Sequence, residues 1–305
     1  MQGAKQPIAK HLKTLTGRVA VVTGASRGAG RAIALVLAEA GATVYVTGRS
    51  ASAGQTTEGL PGTVENAAEE VTQRGGKGIA ARVDHTNEQD VAAFFERVKR
   101  ESGRLDLLVN NVWGGYEQYD GPDFDLPFWE QPTEKRWQGM YVAGLRAHFL
   151  SSRFAAPLLI ARKADAPPGL IVNTVGWAYG EYLRNLYYDV AKSAIIRMSF
   201  GMGLELKKHH VAAVALAPGF MRTERVMAEH AKGPFDLSGT ESPEYGGRAV
   251  AALAGDPRIM ERSGKLFTSG DLAREYGFTD VDGKQPEGFR IPPYGEDEAP
   301  QSTGT

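Results

Sequence analysis

The sequence predicts an α/β fold, a single doubly wound parallel sheet with helices on both faces in three αβα layers. Two observations predict it. Short apolar runs alternate with longer helical stretches from residue 18 to about residue 270, which is the rhythm of successive βαβ units. The apolar runs are also continuous rather than alternating, as strands covered on both faces must be.

The elements follow in order. Residues 18–23 (RVAVVT) read as a buried strand, followed by a glycine turn and the alanine-rich helix 30–40. A second strand covers 43–47, a polar helix 64–73, a third strand 77–83 and a helix 88–100. The fourth strand is 105–110. The stretch 111–132, rich in Gly, Asp, Pro and aromatics, breaks the rhythm as a functional loop does. One helix from 133 to 162, a strand 170–174, a helix 185–209 and a strand 211–216 follow. A second loop, 219–240, precedes a helix near 243–254 and a seventh strand at 265–268. Residues 1–17 read as a surface extension, 18–280 as the domain, and 281–305 as a polar surface tail.

Composition narrows the function. A net charge of -1 argues against nucleic acid or an anionic membrane as partner. With no cysteine, disulfides, thiolate catalysis and cysteine-bound zinc are excluded. No apolar run approaches the roughly 20 residues of a membrane span. The basic start lacks the apolar centre of a secretory signal, so the default compartment is the cytoplasm. The histidines show no metal-ligand spacing, and no catalytic metal is expected.

The turn Thr23–Gly30 (TGASRGAG) joins the first strand to the first helix. A dinucleotide site needs glycines there, because backbone must approach a pyrophosphate held by the helix N-terminus. Gly24, Ser26, Arg27, Gly28, Ala29 and Gly30 are therefore candidate cofactor residues. The same letters spell G-x-S-x-G, the nucleophile elbow of a hydrolase. That elbow needs an oxyanion loop from an earlier strand, and only a polar stretch precedes residue 18. The second strand ends at Thr47-Gly48-Arg49. An acidic residue there would take the ribose hydroxyls of NAD, whereas Arg49, with Arg27 opposite, offers a charged fork for a 2′-phosphate. The expected cofactor is NADP, with NADPH preferred over NADH.

Together TGASRGAG, Asp84 after the third strand, Asn110-Asn111 closing the fourth, Tyr188-x-x-x-Lys192 and Pro218-Gly219-x-x-x-Thr223 resemble the short-chain dehydrogenase/reductase family of Rossmann-type enzymes. The segments 144–149, 169–174 and 269–283 look closer still to its branch called dehydrogenase/reductase member one. The resemblance implies an oxidoreductase interconverting a carbonyl and an alcohol by hydride transfer. Tyr188 would be the acid/base. A phenol titrating near 10 suits neutral pH poorly, but a lysine at i+4 lies on the same helix face and favours the phenolate. By resemblance Lys192 also binds the nicotinamide ribose, Asp84 and His85 lie beside the adenine, and Asn110 lies near the adenosine ribose. Pro218, Gly219, Met221 and Thr223 would border the nicotinamide.

Two positions depart from the family pattern. Gly176 stands where the substrate-binding serine is usual, and Tyr141 where a helix asparagine supports a relay water. Losing one preorganised donor costs roughly 10²–10³ in rate. Thr174, on the same strand face, would partly replace the serine; Tyr141, Tyr179 and Tyr187 are other phenols nearby. The departures also motivate an alternative, an NADP-binding sensor or scaffold with little catalysis. Trp113, Trp177 and Phe220, with the aromatics Tyr116, Tyr119, Phe124, Phe128 and Trp129 of the first loop, suggest an apolar pocket for a hydrophobic ketone, aldehyde or secondary alcohol. The helices 133–162 and 185–209 are those through which relatives form homodimers or homotetramers, with Arg153, Phe154 and Phe200 as interface candidates.

Overall fold

A computed structural model describes residues 14–52, 56–117, 124, 126–163 and 165–295. Its centre is a seven-stranded, wholly parallel sheet in the order β3-β2-β1-β4-β5-β6-β7. The strands are β1 (Val19–Val22), β2 (Thr43–Gly48), β3 (Lys77–Arg82), β4 (Leu107–Asn110), β5 (Gly169–Thr174), β6 (Val211–Ala217) and β7 (Leu266–Thr268). The order reverses between β1 and β4, and the crevice at their carboxyl ends is where an open α/β sheet binds ligands.

Strand side chains alternate between two cores. Ala20, Val22, Val44, Val46, Val109, Val172 and Val214 face one layer, formed by α1 (Gly28–Glu39), α2 (Val64–Gln73), α8 (Pro243–Gly255), α9 (Ile259–Arg262) and α10 (Ser269–Tyr276). Val21, Tyr45, Leu108, Ile171 and Ala213 face the other, formed by α3 (Glu88–Ser102), α5 (Ala147–Ile160) and α6 (Leu186–Leu206). A fully buried Val, Leu or Ile contributes about 1.5–3 kcal/mol by leaving water, so continuous apolar strands are what a sheet clothed on both sides needs.

Three stretches differ from the sequence expectation. The single helix expected over 133–162 is α4 (Thr133–Arg136), a wide-turned π segment (Trp137–Arg146) and then α5. Two close contacts attend the widening: Gly139 meets the Gly114 carbonyl and Gly144 the Trp113 ring, so close that a Cβ on either would clash. The loop 219–240 holds a helix, α7 (Glu224–Lys232), whose first turn is capped by the Thr223 hydroxyl accepting from the Val226 amide. Nor is the chain after residue 280 a free tail. The buried Asp280 carboxylate accepts from the Ser242 amide at 2.8 Å, the Tyr245 hydroxyl donates to the Pro286 carbonyl at 3.1 Å, and Phe289 and Ile291 reach the central cleft. Turn chemistry and polar composition predicted exposure there; buried anchors overrode them. Of the N-terminal extension, residues 1–13 lie outside the described residues, and Leu15 is buried in the first core.

Candidate active site

A cleft of about 810 Å³ opens at the switch point. Its floor is the turn after β1. Gly24 has φ +65° and lies so close to Val112 that an added Cβ would sit 3.0 Å from the Val112 Cα. Gly30 packs behind the turn against the Gly24 carbonyl and Asn111. The Asn111 carboxamide donates to the carbonyls of Thr23 and Gly24 at 3.3 and 3.0 Å, pinning the turn to the end of β4. Helix α1 starts without a side-chain cap. Instead the Gly28 amide donates to the Glu224 carboxylate at 2.9 Å. The residues therefore fit a dinucleotide pyrophosphate: exposed backbone, a positive helix end, and an amide that already holds an anion.

Most of the expected cofactor residues line this cleft: Gly24, Ser26, Arg27, Gly28 and Ala29 on its floor, Arg49, Asp84 and His85 at one end. Pro218, Gly219, Met221 and Thr223 line it opposite them. Gly30 and Asn110 do not. Asn110 is fully buried, and its carboxamide donates to Ser152 and to Asn173, its register partner on β5, both at 2.8 Å. Alternation along β4 turns Asn110 into the protein and leaves Asn111 for the cleft. His85 is wedged between the hydroxyls of Thr47 at 2.7 Å and Ser151 at 2.9 Å. Burial draws it down to about 4, so it is neutral.

The two arginines are engaged differently. Arg27 donates to the carbonyls of Pro61, Leu60 and Gly62 and to the Ser50 hydroxyl, tying down the segment after β2. Arg49 pairs with Glu117 at the cleft mouth. Arg225, which the sequence did not single out, pairs with Glu58 and donates to the Tyr116 carbonyl at 3.1 Å, adding a third guanidinium to this end.

Tyr188 and Lys192 sit one turn apart on the first turns of α6. Asn185 caps that helix by accepting from the Tyr188 amide at 3.0 Å, and donates to the Phe124 carbonyl at 2.7 Å, so one side chain sets both the helix start and the first loop. An N-cap asparagine three residues before the tyrosine was a legible signal. The Lys192 ammonium lies 3.4 Å from the Trp113 ring centroid and 5.4 Å from that of Tyr188. Burial lowers Lys192 to about 7. Burial likewise raises Tyr188, opposed by its contact with Tyr116. Desolvation disfavours the charged form of each group, so burial works against the activation that the ammonium would give the phenol.

Of the compensating groups considered, Thr174 lines the cleft but spends its hydroxyl on the Asn110 carbonyl at 3.1 Å. Tyr141 stacks on Trp137 at 4.4 Å. Tyr179 bonds to Asp271 at 3.0 Å and Tyr187 pairs with Thr133 at 2.8 Å. Trp113, Trp177 and Phe220 line the cleft. Phe128 and Trp129 do not line it and are 50% and 71% exposed; Tyr119 lies outside the described residues. The sequence missed Leu183, Phe289 and Ile291, which complete the apolar end. Among the described residues no cluster of metal-ligating side chains occurs and no helix is long and apolar enough to cross a membrane.

Comparison with known proteins agrees with this geometry. The family model described as short chain dehydrogenase matches residues 18–233. Dehydrogenase/reductase SDR family member 1 of Mus musculus is 40% identical over 282 residues, covering 88% of this chain and 85% of that protein. The Homo sapiens protein of the same name is 38% identical with the same coverage. In fold, a short chain dehydrogenase from Mycobacterium thermoresistibile superposes with a TM-score of 0.75 at 23% identity, covering 95% of this chain and 99% of that one. Members of the family bind a nicotinamide dinucleotide and act on small molecules. The chain belongs to the short-chain dehydrogenase/reductase family of oxidoreductases, on the branch of dehydrogenase/reductase family member 1.

Proposed function

We propose that this protein is an NADP-dependent oxidoreductase that interconverts a carbonyl and an alcohol on a hydrophobic small molecule. The observation that carries the reading is the Tyr188/Lys192 pair lining the same cleft as the glycine turn. Bound along that turn, a nicotinamide dinucleotide would supply or accept the hydride. Tyr188 gives its proton to the alkoxide oxygen in reduction and takes it back in oxidation. Lys192, stacked on Trp113, is held where it can meet a ribose hydroxyl and stabilise the phenolate.

Arg49 and Arg225 at the β2 end, beside the segment that Arg27 holds in place, support a 2′-phosphate there over a bare ribose. An apolar wall of Phe124, Trp177, Leu183, Phe220, Phe289 and Ile291 supports a hydrophobic substrate. A second copy of the chain would find Phe149 on α5, and Val190, Phe200 and Leu204 on α6, exposed on the outer helices.

The test is fluorescence titration with NADPH and NADH, followed by NADPH consumption with acetophenone, benzaldehyde and bulkier hydrophobic carbonyls. NADPH should bind at least about tenfold more tightly, and turnover should vanish in Tyr188→Phe. Binding of neither cofactor would overturn the reading; turnover persisting in Tyr188→Phe would remove the role of Tyr188.

A further inference from the structure

The structure shows what fills the room that Gly176 leaves. A Cβ on Gly176 would lie 2.6 Å from the Tyr188 hydroxyl oxygen and 3.1 Å from its ring edge, so the phenol itself occupies the place of the missing side chain. On its other side Tyr188 faces Tyr116, with ring planes 28° apart and centroids 6.0 Å apart. Trp113 and Phe124 complete the enclosure but meet Tyr188 edge to face, at 5.4 and 5.8 Å. Of these three neighbours only Tyr116 carries a hydroxyl. Its backbone is held by Arg225, which donates to its carbonyl, and by the turn in which the Glu117 amide donates to the Gly114 carbonyl at 3.0 Å.

We propose that Tyr116 is a positioning residue for the reaction, its hydroxyl donating to the Tyr188 oxygen in place of the side chain that Gly176 lacks. The proposal rests on Tyr188 being the acid/base. Lost hydration raises both phenols above their ordinary value, but their mutual contact acts in opposite directions, raising Tyr116 and lowering Tyr188. That asymmetry is the one expected where the Tyr116 hydroxyl donates and the Tyr188 oxygen accepts. Among the described residues, the other charged groups facing the pair are Lys192, beside the Tyr188 ring, and Arg225, which favours ionisation of Tyr116. The direction is useful, because a base whose proton is too tightly held is slow near neutrality.

The experiment uses the full chain in two ways. In chain labelled at the tyrosine ζ carbon, Tyr188→Phe and Tyr116→Phe assign the two signals, and NMR follows the onset of ionisation with rising pH. Tyr116→Phe should raise the onset for Tyr188 by about one pH unit, the worth of one hydrogen bond to a charged oxygen. Reciprocally, Tyr188→Phe should lower the onset for Tyr116. Phe124→Leu, which removes a ring but no hydroxyl, should leave Tyr188 in place. With NADP and phenylethanol, the rising limb of the pH–rate profile should move up by a similar amount in Tyr116→Phe and not in Phe124→Leu.

An unmoved Tyr188 onset in Tyr116→Phe, or an equal shift in Phe124→Leu, overturns the proposal. Should Tyr116→Phe fail to fold, the reciprocal titration of Tyr188→Phe decides alone. Failure of the underlying reading is distinguishable, since it shows as turnover surviving in Tyr188→Phe whatever the titrations give.

Discussion

Glu224, the first residue of α7, places its carboxylate 2.9 Å from the Gly28 amide that opens α1. An anion of the chain's own thus lies at the helix end where a dinucleotide would set its pyrophosphate, with Arg31 3.7 Å from the other carboxylate oxygen. Two anions are not held at one amide, so cofactor entry requires Glu224 to leave.

Neutralising that carboxylate should therefore tighten binding. In Glu224→Gln the competing charge is gone, and about 1 kcal/mol of competition corresponds to a Kd for NADPH about fivefold lower. Fluorescence titration measures it. Weaker binding in the variant would instead mean that Glu224 holds α7 in the position the cofactor needs.

Arg49 and Arg27 should separate cleanly. Arg49, which pairs at the mouth with Glu117, can exchange that partner for a 2′-phosphate. Arg49→Ala should raise the Kd for NADPH about tenfold or more and that for NADH less than twofold. Arg27 holds three backbone carbonyls of the segment 60–62, so Arg27→Ala should weaken both cofactors together and lower Tm. Equal losses for both cofactors in Arg49→Ala would end the NADP assignment.

The sheet, its flanking helices and most of the phosphate turn were legible because each is written locally: apolar period for the strands, glycines for the turn, i+4 spacing for Tyr188 and Lys192. What escaped is non-local. Which way Asn110 faces depends on strand parity at its end, and Asn111, its neighbour, takes the cleft side. Phe289 and Ile291 lie in a polar, proline-rich stretch and reach the cleft only because Asp280 and Pro286 are anchored by distant partners. Tyr116 read as one loop aromatic among several; nothing in its spacing pairs it with Tyr188.

Gly176→Ser tests whether the departure from the family pattern is a loss or an exchange. A serine restored to an otherwise ready site would speed the reaction, since one preorganised donor is worth roughly 10²–10³. Here its Cβ would stand 2.6 Å from the Tyr188 oxygen, and Tyr188, enclosed by Trp113, Tyr116 and Phe124, would have to shift. We expect kcat to fall about tenfold or more, since small misplacements of a reacting group are costly. A faster variant would refute this account of the space around Gly176.

Glu241 should make stability depend on pH. It is 1% exposed, lies 2.7 Å from where a Gly219 Cβ would be, and leaves one carboxylate oxygen without a partner among the described residues. Burial raises it to about 8; the nearby Asp280 adds to the rise, and the Gly219 amide and Arg222 oppose it. Its pKa in the folded chain therefore lies above the ordinary 4.5. Between those values the folded state binds more protons than the unfolded state, so stability falls as pH rises through that window. Glu241→Gln cannot ionise and escapes the penalty, which is on the order of a few kcal/mol above the window. The variant's Tm should match the wild type near pH 5 and exceed it by more than about 5 °C near pH 9. A Tm difference that stays constant across that range would mean that the carboxyl does not titrate in the folded protein.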